Sequence, residues 1–306
     1  MRSNDTLLKK LDNVMQKIIE ELAEGKAIDL RKELKERVIH ELSELRCREW
    51  QERVVSERIR DIVRGELALG KRVVILEARL CDHGLVGVGS GILNAIFEIG
   101  ISWDYVLDLP MIPGSSVKGA FRRCVAGLCS ELSSVKDKIE CLESLIALTG
   151  WIEKPRESEL YELSSLLDIQ PRDVVEIAKR SYGAGLLHFH DTYLLCGESG
   201  KLLEPWIINP HYHRDVRTEY DVAPNPVIHL VLASDLRGVF IVAVEGKALD
   251  YLVKLSSILP RRVSSCSGRT CLAFLAQLLA ATLSSGIGAR TSRGFSRFRV
   301  EKVYLR

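Results

Sequence analysis

Leu7, Leu11, Val14, Ile18 and Leu22 recur at steps of three and four, which places them on one stripe of a helix. Gly25 supplies a stop, and Asp29 can cap a second helix with Leu34, Val38, Leu42 and Leu45 on one face. A third is expected from about Arg48 to Arg64, with Trp50, Val54, Ile59, Ile62 and Val63 inward. At Lys71 the texture changes. Arg72 to Cys81 is rich in Val, Ile and Leu and reads as a strand. A glycine-heavy stretch (Gly84, Gly87, Gly89, Gly91) follows, ending in Phe97-Glu98-Ile99. Pro113-Gly114 marks a turn, with Ser115 or Ser116 as N-cap of a helix to about Leu128. Two more helices are expected, Ser134 to Leu148 closed by Gly150, and Pro171 to Tyr182 closed by Gly183.

Leu186 to Leu195 is strand-like again, and residues 197–225, with Pro205, Pro210 and Pro224, read as a loop-rich insertion projecting from the sheet. Val227–Ala233 and Val239–Val244 flank Asp235-Leu236-Arg237-Gly238 as a hairpin. An almost wholly apolar helix over 269–283, a loop over 284–294 and a last strand, Phe295–Tyr304, complete the chain. From residue 72 the order is β, α with a helical insertion, β-hairpin, α, β. That order predicts an α+β, ferredoxin-like (RRM-like) domain over 69–306, with a helical insertion at 131–183 and the loop-rich one at 197–225. Residues 1–68 would form a helical N-terminal extension.

Composition narrows the function classes. At 46% hydrophobic and 27% charged residues, a sizeable core is available and wholesale disorder is excluded. The formal net charge is only +2, so any nucleic-acid binding must come from local patches. The first 68 residues balance fifteen basic against fifteen acidic side chains, as expected of a solvated bundle or a partner-docking arm. Residues 131–180 hold eleven acids against seven bases and are not expected to face RNA. No basic-apolar-small leader opens the chain. The apolar run Thr270 to Leu283, broken by Gln277, is too short to span a bilayer, so a cytoplasmic protein is expected. The eight cysteines contain no C-x-x-C pair and no zinc-finger spacing, so reduced, buried thiols are expected. Intracellular disulfides of the hyperthermophile kind stay open. Four Gln, five Asn and three Met against 84 charged residues is a thermophile bias.

The strongest chemical signal runs from Ser285 through Phe298. Gly286, Gly288 and Gly294 let a backbone turn closely around a ligand and present N–H groups as an anion nest. Arg290, Arg293 and Arg297 and the hydroxyls of Thr291 and Ser292 suit phosphate oxygens, and Phe295 and Phe298 could stack bases or pack inward. From 286 onward there are six basic residues and one acid, Glu301, which supplies the patch that the overall charge lacks. The second signal is Ile112 to Arg123, a helix start with Ser115, Ser116 and Lys118 in its opening turns and Arg122 beyond, again a natural phosphate site.

Together these segments resemble the RAMP superfamily of CRISPR-associated proteins, in which a C-terminal glycine-rich loop is the defining feature. The closer likeness is to the sixth-subunit type of the Cmr (type III-B) RNA-targeting complex. It is carried by Phe97-Glu98-Ile99-Gly100, Ile112 to Arg123, Ile208-Asn209-Pro210-His211-Tyr212, Pro224-Asn225-Pro226-Val227 and the final loop, over about residues 72–306. One departure is Ser296, where the family loop often has glycine; serine asks for an ordinary backbone conformation there. The resemblance implies a non-catalytic scaffold that holds guide RNA near its 3′ end by the loop and the sheet face. It also implies help in target RNA binding, and contact with other RAMP subunits of the complex. The RNA-binding set would be Gly286, Gly288, Arg290, Thr291, Ser292, Arg293, Gly294 and Arg297, extended by Ser115, Ser116, Lys118 and Arg122. No cofactor, metal or catalytic set is implied.

Competing readings attach to three other places. Some RAMP proteins cleave RNA with an Asp or a His near the first strand, so Asp82 and His83 make an endoribonuclease the alternative function. His188 and His190 share a strand face and, with His211, could hold a metal. Gly65 to Lys71 matches G-x-x-x-x-G-K but lacks the following hydroxyl and runs into a strand, where a phosphate loop must open a helix.

Overall fold

A computed structural model of the chain describes residues 6–26, 29–87, 91–97, 100–151, 157–181, 183–208, 227–259, 266–267 and 270–306. It opens with α1 (Leu7–Ala23), α2 (Leu30–Ser43) and α3 (Glu49–Ala68). Thr6 caps α1 by accepting the Lys9 N–H at 3.3 Å, Asp29 caps α2 by accepting that of Lys32 at 3.3 Å, and Gly25 between them turns at φ +81°. Leu7, Leu11, Val14 and Ile18 are buried with Val38, Leu42 and Leu45, as the spacing asks, while Leu22 stays exposed.

The first turn of α3 is set differently from the expected one, while Val54, Ile59 and Ile62 face inward. Gln51 and Val55 are buried, and Trp50 lies outside. The cause is polar. The Gln51 side-chain amide donates to the carbonyls of Leu107 (2.8 Å) and Asp108 (3.0 Å) and accepts the Arg48 N–H (2.7 Å). The buried Asp108 carboxylate accepts from the Leu7 N–H (3.0 Å), Trp103 Nε1 (3.2 Å) and the Arg48 guanidinium (3.2 Å). Three segments distant in sequence therefore meet at one satisfied polar hub.

After β1 (Arg72–Leu80) come α4 (Ile92–Phe97), β2 (Trp103–Asp104), β3 (Leu109–Ile112), α5 (Gly114–Ser130), α6 (Val135–Thr149), β4 (Gly150–Trp151), α7 (Glu157–Leu167) and α8 (Pro171–Ser181). Then follow β5 (Gly183–Ala184), β6 (Leu187–Phe189), β7 (Thr192–Leu195), β8 (Leu203–Ile208), β9 (Val227–Leu232), β10 (Arg237–Val244), α9 (Ala248–Ile258), α10 (Cys271–Ser285) and β11 (Phe298–Leu305). The main sheet has the order β11-β1-β10-β7-β3-β2, with β6 also on β10, and its pairings are antiparallel. The molecule is thus of mixed α+β class.

Alternation along β1 and β10 gives the sheet two covered faces. Leu76, Phe240 and Val242 meet Val117 of α5 and Leu279 and Leu283 of α10. On the other side Val239 and Ile241 meet Val55, Ile59 and Ile62 of α3. The Arg58 guanidinium lies over the Tyr193 ring there, at 5.1 Å. The sheet face expected to hold RNA is therefore occupied by α3 at this position, because its apolar residues need cover and α3 brings an apolar stripe to them.

Three further expectations are corrected. Ser115 and Ser116 do not cap α5: the helix starts at Gly114 with Pro113 at the cap position, since the fixed proline φ of −58° already leads into a helix. Leu203–Ile208, inside the span expected to be loop, is a strand, and it pairs with β9 from Leu203↔Leu232 to Ile208↔Val227. So β9 and β10 do not form the expected hairpin. Asp235 sits at φ +68° on the Arg79 guanidinium (2.7 Å), and the chain changes sheets there.

The cysteines are not all thiols. Cys47–Cys196 and Cys129–Cys141 are disulfides, with Cα–Cα distances of 5.7 and 6.0 Å. The first spans 149 residues of chain and the second 12. On chain entropy, Cys47→Ser should lower stability by about 5 kcal/mol and Cys129→Ser by about 3. Denaturant melts of the two variants would check this, and an equal or reversed order would contradict it. Among the described residues no helix is long and apolar enough to cross a membrane.

Candidate nucleic-acid interface

The loop after α10 begins at Gly286, whose φ of +98° ends the helix and whose Cβ, were there one, would stand 2.8 Å from Thr291 Cγ2. Gly288, at φ +103°, lies against β1's extension: a Cβ there would fall 2.3 Å from the Leu85 carbonyl oxygen. Backbone bonds then close the loop on itself and on residues 83–85. Ile287 N–H donates to Ser296 O (3.0 Å), Ala289 N–H to Leu85 O (2.9 Å), Phe295 N–H to Arg290 O (3.3 Å) and Ser296 N–H to His83 O (2.8 Å). Arg293 and Gly294 donate to Arg290 O and Thr291 O, forming one 3-10 turn over Thr291–Arg293. The anion nest expected of the whole loop thus narrows: none of these bonds takes up the N–H of Thr291 or Ser292.

Ser296 corrects the expectation for that position. It has φ +57°, is fully buried, and its hydroxyl accepts the Leu85 N–H at 2.9 Å. The serine keeps a left-handed conformation because three hydrogen bonds over-determine it. Phe295 and Phe298 are also buried, Phe298 edge-on to Phe240 at 5.2 Å, so both pack inward and neither offers a stacking face.

What the loop presents outward is charge. Ser292, Arg293 and Arg297 are exposed and Arg290 and Thr291 half-buried. Burial first, and then the neighbouring Arg293 charge, hold the Arg290 guanidinium below its ordinary pKa. Among the described residues no carboxylate pairs with Arg290, Arg293 or Arg297, and Arg297 is steered by donating to Thr291 O at 3.3 Å. Adjacent like charges without a counter-ion attract a polyanion.

The floor beneath the loop is a small apolar cluster of Leu85, Val231 and Phe295, joined by Trp206 and Ala289. Trp206 meets Phe295 edge-on at 5.5 Å and the His83 ring at 4.4 Å. Leu85, Glu204, Trp206 and Val231 were not legible as loop supports in the sequence. The mostly apolar run Leu202 to Ile208 was the available signal, and Pro205 hid it. His83 Nε2 faces Glu204 Oε2 at 2.9 Å, and Nδ1 faces the Asp82 carboxylate. Nε2 is thereby held by Glu204, while Asp82 stands beside Nδ1 without a hydrogen bond to it.

The second signal lands differently. Ser115 is exposed, and Ser116 and Lys118 are half-buried at the start of α5. The helix's first N–H, that of Gly114, donates to Asp191 Oδ1 at 2.7 Å. A carboxylate of the protein itself takes the place expected for phosphate, because the positive end of a helix stabilises any nearby anion. Arg122 turns to the β4 strand: Nε donates to Thr149 Oγ1 (3.2 Å), Nη2 to Gly150 O (2.6 Å), and the guanidinium lies over the Trp151 ring at 4.7 Å.

The metal reading is not carried. His188 pairs with Glu245 (2.8 Å) and His190 with Glu66 (2.9 Å), and His211 lies outside the described residues. No group of three or more metal-ligating side chains is placed to hold an ion among the described residues. In the Gly65–Lys71 segment α3 runs on to Ala68, and Lys71 Nζ is taken by Glu66 Oε2 at 2.9 Å.

Three known proteins resemble this chain. The CRISPR system CMR subunit Cmr6 of Saccharolobus solfataricus is 24% identical over 288 residues, covering 94% of this chain and 78% of that one. A chain in the structure of the type III-B Cmr-beta complex bound to cognate target RNA superposes with a TM-score of 0.56 and 21% identity, covering 95% of this chain and 76% of that chain. Cmr6 from Pyrococcus furiosus gives 0.37 and 17%, covering 75% and 98%. A model of the RAMP superfamily matches residues 83–299, the stretch that runs from His83 through the glycine-rich loop to the start of β11; the chain belongs to the RAMP superfamily.

Proposed function

We propose that this chain is a non-catalytic, RNA-binding structural subunit of a type III-B (Cmr) CRISPR effector ribonucleoprotein. It would hold guide RNA near the 3′ end and assist target RNA binding beside other RAMP subunits. The observation that carries the RNA-binding part is the loop itself: Arg290, Arg293 and Arg297 stand together on a rigid backbone without counter-ions among the described residues. The likeness to Cmr6 and to a chain of an RNA-bound Cmr complex supports the assignment to that assembly. The strand order β11-β1-β10-β6/β7, with α5 after β1 and α10 before β11, supports the finer reading of the domain as ferredoxin-like. On this reading residues 1–68 are an extension that roofs the sheet and meets neighbouring subunits, and the complex works in the cytoplasm.

The loop contacts phosphate and not base edges, so binding should depend steeply on salt and little on sequence. Arg290→Ala and Arg293→Ala should each weaken binding of single-stranded RNA and reduce the slope of log K against log salt by about one unit. Filter binding at a series of salt concentrations measures this, and an unchanged slope in the double variant would overturn the assignment of the loop. The same samples on denaturing gels test the alternative endoribonuclease. His83 is tied into the loop floor by Glu204 and Trp206, which favours a supporting role for it.

A further inference from the structure

β11 forms one edge of the main sheet, and its pairing with β1 changes register between Glu77 and Ala78. On one side of the change Arg299 stands opposite Arg79; on the other Lys302 stands opposite Glu77 and Tyr304 opposite Ile75, with Glu301 as the extra residue. Residues directly opposite across an antiparallel pair share a face. Glu77 and Ile75 in turn lie opposite Val239 and Ile241, whose side of the sheet is the α3 side. An unbroken strand would put Arg299 on one face and Lys302 and Tyr304 on the other; the bulge gathers all three on one. Val300, Val303 and Leu305 are left to the α10 side, opposite Ala78, Leu76 and Val74. We infer that this face of β11 carries the RNA contact of the loop onward, with Tyr304 as a platform on which one base stacks, a step that rests on the RNA-binding reading above.

The ring is open to a base. Tyr304 lies beyond the part of the sheet that α3 roofs and keeps 36% of its surface exposed. Among the described residues no aromatic ring or cation lies over it. Phe295 and Phe298 are closer to the loop in sequence but are buried, so they cannot serve. A base stacked on an exposed ring is held without regard to its identity, which suits a contact made mainly to the backbone.

The charge on this face is arranged to match. Both acids of the two strands there are held by cations, Glu301 by Arg79 at 2.9 Å and Glu77 by Lys302 at 3.2 Å. Arg299 is exposed and has no carboxylate partner among the described residues. It lies about 7 Å along the chain from Arg297. A phosphate backbone bound at Arg293 and Arg297 therefore meets a further free cation as it enters the strand, and Tyr304 stands past it on the same face.

Single-stranded RNA of about ten nucleotides, titrated into the full chain at several salt concentrations, tests the ring and the charge apart. Tyr304→Ala should weaken binding about tenfold and leave the slope of log K against log salt unchanged, because a stacked ring releases no counter-ions. Tyr304→Phe keeps the ring and should bind as the parent does. Arg299→Ala should lower the slope by about one unit. The same RNA carrying 5-iodouridine should photo-crosslink to the peptide that holds Tyr304 as well as to the loop. Parental affinity in Tyr304→Ala, with the loop variants impaired, would overturn this inference while sparing the RNA-binding reading. Equal losses in Tyr304→Phe and Tyr304→Ala would also overturn it, by assigning the effect to the hydroxyl. No binding by the parent at low salt would overturn both.

Discussion

Gly288→Ala should melt about 2–10 °C below the parent chain and bind single-stranded RNA at least about tenfold more weakly. A side chain at φ +103° is strained by about 1–3 kcal/mol whatever surrounds it. Here the added carbon would also stand 2.3 Å from a backbone oxygen, that of Leu85. Backbone cannot rotate away as a side chain can, so residues 85–86 or the loop must move. Either movement breaks the Ala289–Leu85 bond and tilts Arg290 and Arg293 off their positions. Gly65→Ala provides the contrast: it lies inside α3 with nothing within 4 Å of a new Cβ, and it should stabilise by about 0.5–1 kcal/mol. Thermal melts and a binding isotherm on the two variants decide the matter. A Gly288→Ala protein with parental melting and affinity would mean that the loop is not pinned at Leu85.

The second large effect is expected at Asp108→Ala. One carboxylate, 6% exposed, answers the Leu7 N–H, Trp103 Nε1 and the Arg48 guanidinium. Its removal leaves two buried donors without acceptors and takes one partner from the Arg48 guanidinium, which should destabilise by about 3–5 kcal/mol. Asp108→Asn keeps acceptor oxygen for one or two of the three and should lose less. Urea melts of both variants test this ordering, and equal losses would assign the effect to volume and not to the hub. Because α1 and α3 both anchor there, limited proteolysis of Asp108→Ala should cut first within residues 1–68.

How far the sequence was legible follows from what each element depends on. α1, α2, α6 and α10 are written in local period and local caps, so Leu7 to Ile18, Asp29, Ser134 and Gly150 could be read directly. The first turn of α3 could not, because Gln51 is drawn inward by Leu107 and Asp108, more than fifty residues away. β8 was obscured by Pro205, which in a two-stranded ribbon needs no ladder hydrogen bond on its open side. The glycine-rich loop was legible as a loop, and on it Arg293 and Arg297 are exposed and Arg290 half-buried. Its support was not, since Trp206, Glu204 and Val231 reach it only through a strand pairing that no local pattern encodes. The cystines Cys47–Cys196 and Cys129–Cys141 were unreadable for the same reason: spacing along the chain does not say which thiols meet.

The position of α3 has a consequence for the footprint of any RNA on this molecule. In an open sheet of this class, a strand of RNA can spread across several β-strands, and affinity grows with the breadth of that contact. Here the corresponding area between Val239, Ile241 and Tyr193 is roofed by α3, and the Cys47–Cys196 bond rivets the roof at its near end. Uncovering the sheet would require breaking a covalent bond as well as repacking a helix. Over that area the plane of the sheet is closed to an RNA chain, while the β1–β11 end, where Tyr304 is exposed, stays uncovered. Nuclease protection by one copy should cover only a few nucleotides, and longer protection should appear only in steps, as further copies or neighbours are added.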